Sequence, residues 1–177
     1  MKLFEKTLDS DMVYDGKIIK VYRDDALLPN GMTAHREVVH HIGAVAVLAI
    51  DKDENAYFVN QYRYPVQKEL FEVPAGKMEL GEIPLECAKR ELKEECGVEA
   101  EKWTELGPIY TTPGFTDEII WLFVAEELSE VNQQLDDDEF LNVEKLPLKD
   151  VFDKVVKGTV PDAKTQILVL RGALGRE

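Results

Sequence analysis

Residues 76–98 satisfy a nine-position pattern: Gly76, Glu82, Arg90, Glu91, Leu92, Glu94, Glu95, Gly97 and Val98. In short form it reads G-x5-E-x7-R-E-U-x-E-E-x-G-U, with U aliphatic. At average residue usage, a chance match falls below about one in a million per starting point. The stretch constrains the fold because it specifies a helix, both its ends and the face its carboxylates share. Pro84 suits the first helical turn, where its missing N–H would be unpaired in any case. Leu85, Ala88 and Leu92 follow at i, i+3 and i+7 and make one apolar face. Gly97 stands where a helix closes in the left-handed conformation. The spacing predicts a helix over about 84–95, with Ile83 a poor N-cap.

Glu91 and Glu95 are four apart and share a face, with Glu94 one step round. Like charges at that spacing destabilise an isolated helix by about 0.2–0.5 kcal/mol per pair. Carboxylates pointing one way invite hard divalent cations with oxygen ligands, Mg²⁺ or Mn²⁺. Arg90 can anchor a neighbouring carboxylate, Glu82 among them, through a two-point contact. The plain alternative for such an acidic run is a solvated helix face; the complete spaced pattern favours the metal.

The window resembles the signature box of the Nudix hydrolases, which cleave a nucleoside diphosphate linked to another moiety using water and divalent metal. The resemblance implies an α/β (mixed α+β) fold, an α/β/α sandwich around a mixed sheet. It also implies a cofactor of two or three Mg²⁺ ions, with Mn²⁺ a possible substitute. Outside the box, Pro113 lies sixteen residues after Gly97, a mark of the ADP-ribose pyrophosphatase branch. Gln61-Tyr-Arg63-Tyr and Glu72-Val-Pro-Ala-Gly76 also resemble that branch. Taken alone, Pro113-Gly114 is an ordinary turn between strands.

Composition agrees with a compact enzyme. The chain has 177 residues, 45% hydrophobic and 32% charged, with net charge −14. One substantial core is expected at this length. The negative charge argues against nucleic acid as a partner and calls for cations between protein and an anionic substrate. Cys87 and Cys96 are nine residues apart on the proposed helix, about 13 Å along its axis and too far for a disulfide. They read as reduced thiols, and with no apolar leader or membrane-length segment the expectation is a cytoplasmic protein without a membrane partner.

Strands dominate the first half. Residues 3–14 and 17–28 form a hairpin about Asp15-Gly16, and 32–41 follow the Pro29-Asn30-Gly31 turn. The apolar run 44–50 suits a central strand, with 56–63 and 70–73 continuing the same sheet. After the box helix, 103–111 and 118–126 read as strands, and 148–157 and 162–170 as helices. Residues 1–41 are expected to form an N-terminal antiparallel β subdomain, and 42–177 the catalytic domain. In similar ADP-ribose pyrophosphatases the N-terminal segment exchanges across a homodimer; an edge sheet on a monomer is the alternative.

Roles carried over by resemblance are as follows. The Ala75 carbonyl, Glu91, Glu95 and Glu139 match metal-ligand positions, and Glu94 matches a further metal or metal-water position. Asp137 occupies the place of the catalytic base, one methylene shorter than the glutamate usual there. Arg36, Glu37, Arg63 and Glu118 resemble substrate-contact positions, the first two acting across the dimer. Gly76, Glu82, Arg90 and Gly97 support the motif. Phe115 is read as stacking on a base or anchoring its loop, and His35, His40 and His41 as structural. The expected reaction is ADP-ribose plus water giving AMP and ribose 5-phosphate. Another nucleotide sugar or ADP-linked compound is the alternative within enzymes, and a non-catalytic nucleotide sensor the alternative outside them.

Overall fold

A computed structural model describes residues 2–135 and 139–174. Ten strands and three helices are present among them, with a single 3-10 turn at Tyr64–Val66. The chain divides into two compact units. One comprises the residues up to Gly43 with Ile109–Ile119; the other comprises Ala44–Pro108 with the residues from Ile120 onward.

The first unit is built on a three-stranded antiparallel sheet, β1 (Lys6–Asp15), β2 (Ile19–Leu27) and β3 (Thr33–His41), in that order. The first hairpin is looser than a two-residue turn. Gly16 accommodates the Tyr14 ring where a Cβ would come within 2.5 Å of it, and its N–H bonds the Ile19 carbonyl. Every residue of β1 is exposed. Segment 112–117 docks on β3: Val39 N–H donates to the Phe115 carbonyl, and Asp117 N–H donates to the Val39 carbonyl.

The second unit has two sheets, where the sequence suggested one. Strands β7 (Ala75–Lys77), β4 (Ala44–Ala49), β9 (Ile119–Glu130) and β8 (Val98–Tyr110) form a mixed sheet in that order. In it β4 runs antiparallel to β7 and parallel to β9. Strands β10 (Leu141–Pro147), β5 (Asn55–Arg63) and β6 (Lys68–Glu72) form a separate antiparallel sheet. A single bridge between Ile50 and Ala56 joins β4 to β5 across the tight turn at 51–54.

The central strand β4 is covered on both faces. Val45, Val47 and Ala49 cluster with Cys87, Ala88 and Leu92 of α1 (Pro84–Cys96). Because side chains alternate along a strand, Ala46 and Leu48 face the other way. There Leu48 packs on Gly172 of α3 (Ala163–Leu174), where an added Cβ would lie 2.5 Å from Leu48 Cδ2. Helix α2 (Leu148–Val156) packs on α3. Helix, sheet and helix thus make three layers, as the expected sandwich requires. Each fully buried Val or Leu in this core contributes about 1.5–3 kcal/mol by leaving water.

Candidate active site

Helix α1 opens with Pro84 and no side-chain cap, and closes at Gly97, whose φ of 62° lets its N–H reach the Lys93 carbonyl. The segment after β9 completes this end. Val131 N–H donates to the Gly97 carbonyl, Gln134 N–H to the Glu94 carbonyl, and the Gln133 side-chain amide to the Glu95 carbonyl. These bonds satisfy carbonyls a helix end leaves orphaned. They tie the residues leading to the acidic stretch onto the turn that bears Glu94 and Glu95. Nothing in the local sequence announced Gln133, since its partner lies 38 residues away.

The opposite wall of the site is β7. Glu91 lies so close against Gly76 that a Cβ there would sit 1.8 Å from Glu91 Cδ. Glu95 Oε2 accepts the Ala75 N–H at 2.9 Å. Strand and helix are therefore joined through the two carboxylates themselves. Both are buried, at 7% and 1% exposure. Burial pushes the Glu91 carboxyl up to about 7, against the nearby Arg90, with the charges of Glu94 and Glu139 adding to the rise. Burial likewise pushes Glu95 up to about 8, opposed by the Ala75 N–H and reinforced by Glu91 and Glu139. Glu139 is therefore near enough to be felt by both.

Arg90 knits the rest together. Its Nε and Nη2 donate to the two oxygens of Glu82 at 3.0 and 3.1 Å, the two-point pair expected from the sequence. Its Nη1 donates to Glu91 Oε1 and Glu94 Oε2 at 2.8 and 2.9 Å. The Arg90 fork holds Glu82 down to about 2, helped by the Glu79 N–H.

A divalent cation fits these residues on two counts. The Gly76 cradle presses a carboxylate against bare backbone, and two buried carboxylates are crowded by further negative charge that a cation would relieve. Among the described residues no three His, Cys, Asp or Glu side chains are already placed together to hold a metal ion. The available donors are Glu91, Glu95, Glu139, Glu94 and the Ala75 carbonyl. Asp137, the expected base, lies outside the described residues.

Arg63 is held by a partner the sequence reading did not single out. Its Nε and Nη2 donate to Glu72 at 2.8 and 2.7 Å, and Glu72 is 1% exposed. Lys164 of α3 also donates to Glu72, and to Asp162 at 3.0 Å. Burial works against an ionised Glu72, but Arg63 and Lys164 outweigh it and keep its carboxyl below the usual range. Glu72 chiefly, with Glu95 and Asp162 contributing, holds the Arg63 proton more firmly than usual. The signal available was the run Glu72-Val-Pro-Ala-Gly76; its partners on α3 are 92 residues on and invisible to any local pattern.

Arg36, Glu37 and Glu118 belong to the first unit. Arg36 is engaged by Glu5 through Nε and Nη2 at 2.9 and 2.8 Å, and donates from Nη1 to the His35 carbonyl. Glu37 stands opposite Arg23 in the β2–β3 register, and a shallow depression brings it together with Val13, Val39 and Phe115. As neighbours on one strand, Arg36 and Glu37 point to opposite faces. Glu118 accepts from the Thr111 hydroxyl at 2.7 Å. His35 pairs with Asp25 and His40 with Asp117, each at 2.6 Å. Phe115 is exposed at the end of the Pro113-Gly114 turn, which closes through the Thr112 carbonyl.

Comparison with known proteins identifies the class to which this arrangement belongs. The NUDIX domain model matches residues 39–167. The chain belongs to the Nudix hydrolase family. Residues 5–39 match a second model, the nucleoside diphosphate sugar hydrolase N-terminal domain. The chain is 46% identical to an ADP-ribose pyrophosphatase of Bacillus subtilis, over 97% of this chain and 96% of that one. It is 44% identical to the methanol dehydrogenase activator of Bacillus methanolicus, over 95% and 92% respectively. In fold it is similar to a crystal structure of an ADP compounds hydrolase, with TM-score 0.84 and 22% identity over 99% of this chain and 97% of that chain.

Proposed function

We propose that this chain hydrolyses the diphosphate of ADP-ribose to AMP and ribose 5-phosphate, with Mg²⁺ as its cofactor and Mn²⁺ able to replace it. The observation that carries the reading is the junction of α1 and β7, where Glu91 fills the Gly76 cradle and Glu95 takes the Ala75 N–H. The full-length similarity to an ADP-ribose pyrophosphatase supports the substrate. Glu91, Glu95, Glu139 and the Ala75 carbonyl would hold two or three ions, with Glu94 binding a further ion or a metal water. Such ions neutralise diphosphate oxygens and lower the pKa of a bound water.

The chain's own groups then have distinct tasks. Arg63 has one guanidinium edge, Nε and Nη2, committed to Glu72, which leaves Nη1 for a phosphate oxygen. Asp137 or Glu139 accepts the proton from the attacking water. By the family resemblance, Arg36 and Glu37 reach the nucleotide portion across a dimer, and Glu118 is a further substrate contact. Arg90, held by Glu82, bridges Glu91 and Glu94 and fixes their orientation. Residues 1–41 form a subdomain that joins two copies into a homodimer, and the exposed apolar residues of β1 support that reading. Net charge −14 disfavours nucleic acid as a partner. No helix among the described residues is long and apolar enough to cross a membrane. With both cysteines free, a cytoplasmic location is the simplest assignment.

A panel of nucleoside diphosphate derivatives assayed with Mg²⁺ tests the proposal. ADP-ribose should be the preferred substrate, with products AMP and ribose 5-phosphate, and Glu95→Gln should reduce turnover by orders of magnitude while the protein stays folded. Preference for another sugar nucleotide would overturn the substrate, and a near-normal Glu95→Gln enzyme would overturn the metal assignment.

A further inference from the structure

The buried cluster under β6 and β7 has more structure than Arg63 needs. Thr165, in the first turn of α3, is fully buried. Its hydroxyl donates to Asp162 Oδ2 at 2.6 Å and accepts the Val73 N–H at 2.8 Å. Asp162 Oδ2 also accepts the Thr165 N–H, so the same carboxylate starts the helix and aims the hydroxyl. Asp162 Oδ1 takes Lys164, which reaches on to Glu72.

Residues 72–75 are thereby anchored one by one. Glu72 is gripped by Arg63 and Lys164, and Val73 N–H by Thr165. The Pro74 carbonyl accepts from Val47 N–H, and Ala75 N–H donates to Glu95. Pro74 has no N–H of its own, so each backbone N–H of residues 73–75 has its partner. The stretch ends on the one residue whose backbone carbonyl is assigned to a metal. A buried chain of hydrogen bonds rooted in α3 thus terminates at the wall of the active site.

We propose that Thr165 is a positioning residue for the metal centre: from α3 it fixes residues 73–75, and with them the Ala75 carbonyl, while the Glu72–Lys164 pair beside it sets the Arg63 guanidinium. The metal in question is the one of the proposed function, on which this inference rests. Thr165 touches neither metal nor substrate and acts through Val73. Groups that orient metal ligands typically govern affinity by about 10- to 100-fold. Val73, through which Thr165 acts, is two residues short of Ala75, so the lower end applies.

The test is Mn²⁺ binding, followed by electron paramagnetic resonance of the free ion, alongside Mg²⁺-dependent ADP-ribose hydrolysis and thermal melting. Thr165→Val, which keeps shape but loses the hydroxyl, should weaken Mn²⁺ binding about tenfold and raise the Mg²⁺ needed for half-maximal rate by a similar factor. Thr165→Ser should restore both. Asp162→Asn, a milder change that keeps a helix cap, should give a smaller shift in the same direction and serves if Thr165→Val does not fold. A Thr165→Val protein that melts earlier yet binds Mn²⁺ like the parent would overturn the proposal, because a merely structural role lowers stability alone. A parent protein that binds no Mn²⁺ would overturn it too. If the parent and Thr165→Val differ in Mn²⁺ binding as stated but neither cleaves ADP-ribose, the inference stands and the substrate assignment falls.

Discussion

An alanine at position 76 would set its Cβ 1.8 Å from Glu91 Cδ, so the end of the Glu91 side chain, which fills the cradle, would have to move. Either α1 moves off β7 or the carboxylate leaves the cradle. Overpacking of this kind costs about 1–3 kcal/mol. Gly76→Ala should therefore lower the unfolding free energy, read from urea melts, by up to that much and weaken Mn²⁺ binding at least about tenfold. Unchanged Mn²⁺ titration would show that the cradle is incidental. The requirement for glycine was legible in the sequence, because Gly76 and Glu91 belong to one spaced pattern. Glu72, Lys164 and Thr165 were not. Their importance lies in burial and in contacts 92 residues apart, and neither leaves a mark on neighbouring residues.

At the level of elements, α1 was readable to within a residue because its proline start, apolar spacing and glycine end all agree. Strand β10 was not read at all. Leu141-Asn-Val-Glu-Lys-Leu-Pro147 buries almost nothing, lies at a sheet edge and owes its conformation to pairing with β5. Its far end is pinned by Lys145, which bonds Asp51 Oδ2 at 2.7 Å. Asp51 Oδ1 accepts the N–H groups of Asp53 and Asn55, so one carboxylate shapes the β4–β5 turn and fastens β10 to it. Burial raises the Asp51 pKa, but the Lys145 bond and the turn amides outweigh it and hold the carboxyl at about 2, against an ordinary 3.8. A depressed carboxylate stabilises the fold above its unfolded pKa and loses that effect as pH falls through the folded value. Asp51→Asn should thus cost about 1 kcal/mol near neutral pH. The gap between parent and variant should be full above about pH 4 and shrink toward pH 2. Urea unfolding of both proteins between pH 6 and pH 3 measures it, and a gap constant across that range would refute the assignment.

For the whole molecule, the three layers of the second unit follow from a pattern visible in the chain, since β4 is apolar at every position and so must be covered twice. The first unit lacks such closure. Strand β1 is the edge of its sheet, runs ten residues, and leaves Leu8, Met12, Val13 and Tyr14 exposed at 45–57%. Exposed apolar side chains on an edge strand invite a cover, although Lys6, Asp9, Asp11 and Asp15 interrupt the apolar residues of β1. A second copy is the economical cover, because two-fold association lets one surface satisfy itself. It must also overcome the repulsion of two chains at −14 each, so burial and strand pairing, not charge, must drive it. Light scattering after size exclusion should therefore report twice 20.1 kDa, with the dimer strengthened by salt, which screens the repulsion. Leu8→Glu with Met12→Glu should give monomers, since it adds four buried charges per dimer and nothing to pair them. If the parent protein runs as a 20.1 kDa species at micromolar concentration and at every salt concentration, β1 is not a dimer surface.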